Sequence, residues 1–229
     1  MRIFEENLQI VADETGVPVK KSTWERRFED SLSDMPEDIK FAPKKKGLFL
    51  GVVARDGKLW IYDLTNFQNV KKQPVQVCQN PATPLTCMSW NKNIFDKDMV
   101  MVGTKTSETA DTSTMLLCST RKENAQWTVL HDMRFSNKGH RKSVYDISWS
   151  ALNGRSFHLL ASCGKEGIFV WKFRFNDENA GVELLSITTL GSDSHELHVP
   201  VLVSWNLMVG SLFDNSFSPL SLLPLSATL

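Results

Sequence analysis

The sequence has no excess of charge of either sign. Its 26 basic and 26 acidic residues give a formal net charge of zero and a pI near 7.0. A neutral chain exerts no general electrostatic attraction on nucleic acid or on an anionic membrane. Two short lysine runs remain, at residues 44–46 and 71–72, and such runs usually lie in solvated loops. We therefore expect no direct nucleic-acid partner.

Cysteine is scarce, and signals for export or membrane insertion are missing. None of the four cysteines forms a C-x-x-C pair, and three fall in predicted strands, which favours free buried thiols in a reducing compartment. The N-terminal segment is acidic where a signal peptide is basic and then apolar. No uncharged apolar run reaches the roughly 18 residues of a membrane-spanning helix. We expect a soluble intracellular protein without a transmembrane segment.

Motifs for cofactors and metals are also missing. No glycine-rich loop of the phosphate-binding or dinucleotide-binding type occurs, and the segment from Gly164 to Gly167 is typical of a hairpin turn. His195 and His198 flank a Glu-Leu pair, one residue short of the H-E-x-x-H zinc motif, and Pro200 follows them. The sequence therefore predicts no cofactor, no metal and no small-molecule substrate.

What the sequence does contain is a repeated pattern of short strands. Residues 38–63 show it first: apolar side chains recur at every second position over residues 48–54, and residues 59–62 are β-branched and aromatic. Between them, the Asp56-Gly57 pair favours a two-residue hairpin, because glycine adopts positive φ without steric cost. An outer strand is predicted over residues 75–79, with Pro74 at its entrance.

The unit recurs three times. Ser-Trp segments end at Trp90, Trp149 and Trp205, roughly 55 to 60 residues apart, near the period of propeller arrays. Whole units are predicted over residues 35–79, 80–132 and 140–190, and a fourth begins at Val199. A sheet of this size cannot bury both of its faces alone, so neighbouring sheets must stack radially. The predicted fold is all-β, a partial β-propeller with about three complete four-stranded blades and fragments of the flanking blades.

The predicted domain organisation follows from these units. Residues 1–34 are interpreted as the remnant of a preceding blade and its connection, and residues 35–206 as propeller blades. Residues 207–229 form an atypical tail rich in Ser, Leu and Pro, and prolines remove donors from a sheet. Our hypothesis is that this tail is not native propeller sequence.

Particular runs of residues resemble a known family. The runs are residues 40–44 (KFAPK), 87–91 (CMSWN), 154–161 (GRSFHLLA) and 203–206 (VSWN). In order and spacing they are similar to blades of the Seh-type nucleoporin, a WD40 propeller of the Sec-thirteen/Seh family, truncated here at both ends. The residues that carry this blade signature are Phe41, Asp56, Gly57, Trp90, Trp149 and Trp205.

The resemblance implies a fold and a set of partners. In the family, an open six-bladed propeller is completed in trans by a blade from an α-solenoid nucleoporin. It implies a non-enzymatic adaptor of the Y-shaped outer-ring complex of the nuclear pore, acting in protein and mRNA transport. It further implies a role in the GATOR/SEA complex, which regulates TOR signalling at the lysosome or vacuole surface.

The resemblance also implies a structural network in one blade. His140, Asp146, Ser162 and Trp171 correspond to residues that form a buried, hydrogen-bonded staple in WD repeats, although Glu166 stands where an Asp is usual. The first three are also the residue types of a nucleophilic triad, but no nucleophile elbow accompanies them. The structural role is therefore favoured, and no catalytic residue is predicted.

Two alternatives to the nuclear-pore function remain open. The chain is also interpretable as a WD40 module that reads peptides or histone tails through the top of its propeller. The COPII-coat-type propeller is the nearest competitor within the same family. A hydrolase is disfavoured by the missing motifs.

Overall fold

A computed structural model describes residues 1–13, 15–78, 83–106, 114–120, 126–133, 139–152, 154–176, 181–190, 200–205 and 212–214. These ranges consist of strands, turns and one 3-10 turn at Lys44–Lys46, and they contain no α-helix. The strands are β1 Arg2–Ala12, β2 Pro18–Glu29, β3 Pro36–Phe41, β4 Phe49–Ala54, β5 Lys58–Asp63, β6 Lys71–Gln76, β7 Leu85–Trp90, β8 Met99–Thr104, β9 Met115–Thr120, β10 Trp127–Asp132, β11 Val144–Trp149, β12 His158–Gly164, β13 Gly167–Asn176, β14 Gly181–Leu190, β15 Val203–Trp205 and β16 Leu212–Asp214.

Three antiparallel sheets of four strands follow one another along the chain. Blade A comprises β3–β6, blade B comprises β7–β10 and blade C comprises β11–β14, and in each blade the strands pair in chain order. β15 pairs with β16 in a further sheet, and β1 pairs with β2 in a long hairpin. The predicted all-β partial propeller is confirmed.

The blades stack through their first strands. β3, β7, β11 and β15 contact one another in succession, and the outer strands β6, β10 and β14 do the same at the rim. We call β3, β7, β11 and β15 the inner strands. Each gap between neighbouring sheets holds an apolar cluster: hairpin against blade A, A against B, B against C, and C against β15. This radial arrangement buries both faces of each blade.

Burial on both faces explains the continuous apolar run in β4. Leu50 and Val52 belong to the cluster on the hairpin side, whereas Val53 belongs to the cluster shared with blade B. Successive strand side chains point to opposite faces, so a strand between two sheets needs apolar residues at every position. All residues of β4 from Leu50 to Ala54 are buried.

Two details of blade A differ from the sequence prediction. The connection between β4 and β5 contains three residues, 55–57, and not two; Gly57 closes it at φ 74° and its N–H donates to Ala54 O. In a three-residue hairpin connection of this kind, the third residue has positive φ. Pro74 lies inside β6, opposite Trp60, and not at its entrance. β6 is an edge strand, where a missing N–H costs no ladder bond.

The lysine run at residues 44–46 also differs from the prediction. Lys44 and Lys45 are exposed, as expected, but the side chain of Lys46 is only 3% exposed. Its Nζ donates to Asp96 O and Lys97 O, both at 3.1 Å, and lies 3.3 Å from Asp98 Oδ1. Lys46 therefore joins the first connection of blade A to that of blade B.

Several predictions concern residues outside the described ranges. They include His195 and His198, and all of the tail except Leu212–Asp214, whose backbone pairs with β15. The four cysteines are free, and Cys87, Cys118 and Cys163 are buried in strands. No helix long and apolar enough to cross a membrane occurs in the described part of the chain.

Candidate functional site

The junction between blades A and B is joined by two hydrogen bonds from inner strands. Asp38, in β3, accepts a bond from Met88 N at 2.9 Å through Oδ2. In return, the indole Nε1 of Trp90 donates to Lys40 O at 2.9 Å. One bond therefore uses a side-chain acceptor of blade A, and the other uses a side-chain donor of blade B.

The same two bonds recur at the junction between blade C and β15. Asp146 Oδ2 accepts a bond from Val203 N at 3.0 Å, and Trp205 Nε1 donates to Ser148 O at 2.8 Å. Asp146 lies three residues before Trp149, as Asp38 lies three residues before the end of β3 at Phe41. The repeat in sequence therefore corresponds to a repeat in bonding.

The junction between blades B and C uses other residues. Cys87 occupies the position equivalent to the two aspartates, and Ser89 Oγ instead accepts a bond from Trp149 N at 2.9 Å. Thr86 Oγ1 donates to Val144 O at 2.6 Å. Trp149 Nε1 is buried and has no hydrogen-bond partner among the described residues. Further along the same junction, Thr114 Oγ1 donates to His140 O at 3.0 Å and Thr106 N donates to Ser143 Oγ at 3.1 Å. The apolar cluster of this junction includes Trp149, Trp171 and Phe173.

Lys40 connects the two aspartate junctions. Its Nζ lies 3.2 Å from Asp38 Oδ2 and 3.3 Å from Asp146 Oδ1. Burial of the ammonium opposes its charge, but the Asp146 and Asp38 carboxylates outweigh that effect and raise the pKa of Lys40. Lys40 therefore stays charged, and both aspartates are compensated.

A second network lies inside blade C. Ser162 Oγ is 2.8 Å from His140 Nε2 and accepts a bond from Trp171 Nε1, also at 2.8 Å. All three side chains are buried. Because an indole N–H can only donate, Ser162 Oγ is the acceptor for Trp171, and the direction of its second bond, to His140 Nε2, is set by the imidazole tautomer. A Cβ at Gly139 would collide with the Trp171 ring, so a glycine is needed beside this network.

His140 is uncharged at neutral pH. Burial lowers the pKa of His140 to about 4, and the Glu166 carboxylate, 3.8 Å from Nδ1, only partly opposes this effect. Glu166 Oε2 itself accepts bonds from Arg141 N and Lys142 N, at 2.6 and 3.0 Å. Glu166 thus fixes the backbone after His140.

The structure does not bring all four predicted network residues together. His140 and Trp171 are each hydrogen-bonded to Ser162, whereas the two carboxylate oxygens of Asp146 bond to Lys40 and Val203. Ser162 is fully buried. His140, Asp146 and Ser162 are therefore not arranged as a nucleophilic triad. The role of the predicted set as a WD-type staple stays a prediction.

The blade-signature residues occupy two kinds of position. Phe41, Trp90, Trp149 and Trp205 each end an inner strand; the tryptophans are buried, and Phe41 is 54% exposed. Asp56 and Gly57 lie in the connection between β4 and β5, where Asp56 Oδ1 accepts a bond from Lys58 N. No group of three His, Cys, Asp or Glu side chains arranged to hold a metal occurs within the described ranges.

Sequence reasoning missed the residues that bond across the junctions. They are Asp38, Lys40, Thr86 and Ser89, which the sequence patterns place in strands or in runs that resemble the family, without indicating a bonding role. A signal was available: an aspartate three residues before the aromatic end of an inner strand, seen at Asp38 and Asp146. Nothing in the sequence indicates which backbone N–H such a carboxylate meets, because that partner is about 50 residues away in the chain.

Comparison with known proteins identifies similar sequences. Nucleoporin seh1 of Drosophila melanogaster is 27% identical over 203 residues, which are 87% of this chain and 54% of that protein. Nucleoporin SEH1-A of Xenopus laevis is 27% identical over 207 residues, 87% of this chain and 56% of that protein. Nucleoporin SEH1 of Osmerus mordax is 27% identical over 176 residues, 74% of this chain and 47% of that protein.

The predicted resemblance to the Seh-type nucleoporins is therefore confirmed. The chain spans about half the length of the curated relatives it matches. No protein-family model matches the chain.

Proposed function

We propose that this chain is a non-catalytic structural subunit of the nuclear pore complex. The observation that carries the proposal is its similarity, over most of its length, to proteins named as Seh1 nucleoporins. The stacked blades support it, because their buried polar groups join one blade to the next and leave the exposed surfaces for partners. In finer terms, the proposed assembly is the Y-shaped outer ring, and the proposed partner is an α-solenoid nucleoporin that completes the propeller in trans.

The proposal is tested by where the protein resides and what it binds. A fluorescent fusion at the endogenous locus should mark the nuclear envelope in a punctate rim. Affinity purification followed by mass spectrometry should recover outer-ring nucleoporins in comparable amounts. Recovery of COPII coat subunits on vesicles instead, with no rim signal, would replace the pore assignment by the coat-type alternative.

A matched pair of variants relates the proposed function to the blade junctions. The double variant Asp38→Ala/Asp146→Ala removes both carboxylates that bond the next sheet. The control, Asp34→Ala/Asp63→Ala, removes two other aspartates, so the two double variants change the net charge equally. We expect the first pair to lose the rim signal and the second to keep it. Loss by both pairs, or by neither, would contradict a scaffold that depends on the junctions.

We further propose that the same chain serves the GATOR/SEA complex, acts in TOR signalling at the lysosome or vacuole surface, and contributes to mRNA transport. These roles rest on the resemblance to the family. Purified complexes should then contain GATOR/SEA subunits alongside nucleoporins, and depletion should blunt the TOR response to amino-acid withdrawal and retain poly(A) RNA in the nucleus. Normal responses in depleted cells would count against these roles and leave the pore assignment intact.

A further inference from the structure

A cavity of about 480 Å³ opens where the inner strands end. Its wall is contributed by β3, β7, β11 and β15 together with the residues that directly follow or precede them, so three blades and the fourth sheet all line it. Its volume is in the range of small-molecule sites in proteins, roughly 300 to 1,000 Å³.

The polar groups of the cavity wall are mainly donors without partners. Lys92, on the segment after β7, lines the cavity and makes no ion pair or hydrogen bond in the described part of the chain. The hydroxyls of Ser148 and Ser204 line it too, and neither is hydrogen-bonded within the described ranges. Three donors that are uncommitted within the described ranges thus lie in the wall, one each from blade B, blade C and the sheet of β15.

The acidic group in the wall is already engaged. Asp146 uses Oδ1 for Lys40 and Oδ2 for Val203 N, so both of its oxygens are already hydrogen-bonded and its charge is paired with Lys40. Lys40 adds a second ammonium to the wall. Lys40 is paired with the Asp38 and Asp146 carboxylates, whereas Lys92 has no such partner within the described ranges. Burial, and then the nearby charge of Lys40, lower the pKa of Lys92.

Apart from Ser89, whose Oγ accepts the bond from Trp149 N, the remaining lining is apolar. Phe41, Pro43 and Leu202 stand around the cavity, and Phe41 and Leu202 are 54% and 44% exposed. A site with the unpaired Lys92 ammonium, two free hydroxyls and an aromatic side chain matches a carboxylate or phosphate attached to an apolar group.

We propose that this cavity is a binding site for an organic anion, a carboxylate or phosphate monoester carrying an apolar or aromatic group. Lys92 and the Ser148 and Ser204 hydroxyls bind the anionic head, and Phe41 and Leu202 cover the apolar part. Since the wall comes from several sheets, the bound anion holds the ends of the inner strands together. The proposal does not depend on the nuclear-pore assignment.

The test is calorimetric titration of the full chain with phenyl phosphate, phenylacetate and the neutral benzyl alcohol. Both anions should bind, the alcohol should bind at least about tenfold more weakly, and the tighter anion identifies the preferred head group. Chemical shifts of the Trp90 indole, which lines the cavity, should move with the anions. Equal binding of the neutral compound, or no binding of either anion, would overturn the proposal.

A matched pair of lysine variants places the site. Lys92→Gln should weaken anion binding about fivefold or more. Lys97 is an exposed lysine of the same connection that does not line the cavity, so Lys97→Gln should change anion binding less than about twofold. Ser204→Ala is an independent second variant and should weaken phenyl phosphate binding while thermal unfolding stays unchanged. Equal effects of the two lysine variants, or none for Lys92→Gln and Ser204→Ala, would show that the anions bind elsewhere and refute the proposal.

Discussion

At the scale of single residues, the buried imidazole of His140 couples blade C to pH. The folded state keeps His140 neutral down to a pKa of about 4, whereas an unfolded histidine binds its proton near pH 6.5. Between these values the unfolded state binds more protons, so stability is full above pH 6.5 and falls as the pH decreases toward 4. The maximum contribution is about 3 kcal/mol.

This dependence is measurable by urea unfolding at pH 7, 5.5 and 4.5. The variant His140→Gln keeps an uncharged side chain that can reach Ser162 but does not titrate. The stability advantage of the native protein over this variant should shrink as the pH falls. A constant difference across the range would mean that His140 does not remain neutral in the folded state.

Lys46 shows what residue-level reasoning cannot anticipate. Three consecutive lysines are predicted to be solvated, and two of them are, but the third is buried because two carbonyls and a carboxylate from another blade surround its ammonium. Those acceptors lie 50 to 52 residues further along the chain. Only the stacking of the blades brings them to Lys46.

The matched variants Lys46→Ala and Lys45→Ala test this position. Lys46→Ala removes the ammonium that three acceptors of blade B share. It should lower the free energy of unfolding by about 1–3 kcal/mol, because those acceptors are left without their donor. The second alters an exposed neighbour and should stay within about 0.5 kcal/mol. Chemical denaturation gives both values, and equal losses would show that Lys46 is solvated after all.

At the scale of elements, strand positions followed from the sequence, and their exact ends did not. Period-two patterns and aromatic clusters placed the strands of blades A, B and C within a few residues. The position of Pro74 was missed because an edge strand tolerates a proline in its interior, and the edge is defined by neighbours. Length was missed for β1 and β2, which form a hairpin of 11 and 12 residues.

That hairpin has an uncovered apolar face. In its register, Phe4, Leu8, Ile10 and Trp24 share one face, and they are 50 to 75% exposed. Only its base packs on blade A, through Met1, Ile3 and Phe28. A two-stranded hairpin is at best marginally stable in water without such packing. The far end of the hairpin lacks such packing among the described residues.

A pair of substitutions to threonine separates the two ends of this element. Ile10→Thr, on the exposed face, should change the free energy of unfolding by less than about 0.5 kcal/mol. It should also reduce self-association, because the exposed face of the hairpin becomes less apolar. Val52 is fully buried against the base of the hairpin. Val52→Thr should lower the free energy of unfolding by about 1–3 kcal/mol, because the new hydroxyl is buried without a hydrogen-bond partner. Thermal unfolding and light scattering measure both. A larger loss for Ile10→Thr would mean that this face is covered in solution.

At the scale of the whole molecule, each sheet depends on its neighbours, as in repeat proteins generally. The sequence predicted the stack, because repeated units with two apolar faces have few other solutions. It did not predict how the junctions differ: two have an aspartate, and the middle one has Cys87 and Ser89. That difference depends on contacts between strands about 50 to 60 residues apart.

Asp146→Ala tests the coupling between neighbouring sheets. The variant leaves Val203 N–H without its acceptor and Lys40 with one carboxylate instead of two, at a cost of about 1–3 kcal/mol. Hydrogen exchange should increase first in β15, while β4 and β5 of blade A stay protected. Asp34→Ala, at an exposed position, serves as the control. Uniform exchange across all sheets would show that the molecule unfolds as one unit.

The inward location of the bonds between blades has a practical consequence. The connection from β5 to β6, residues 64–70, lies at the far side of blade A from β3, and Thr65 and Asn66 are exposed. Exposed polar loop tips accept added sequence most readily. An epitope or a cross-linker handle introduced between Thr65 and Asn66 lies before the turn closed by the bond from Asn69 N to Asn66 O and leaves Asp38, Lys40 and Trp90 undisturbed. It offers a way to map neighbours without altering either end of the chain.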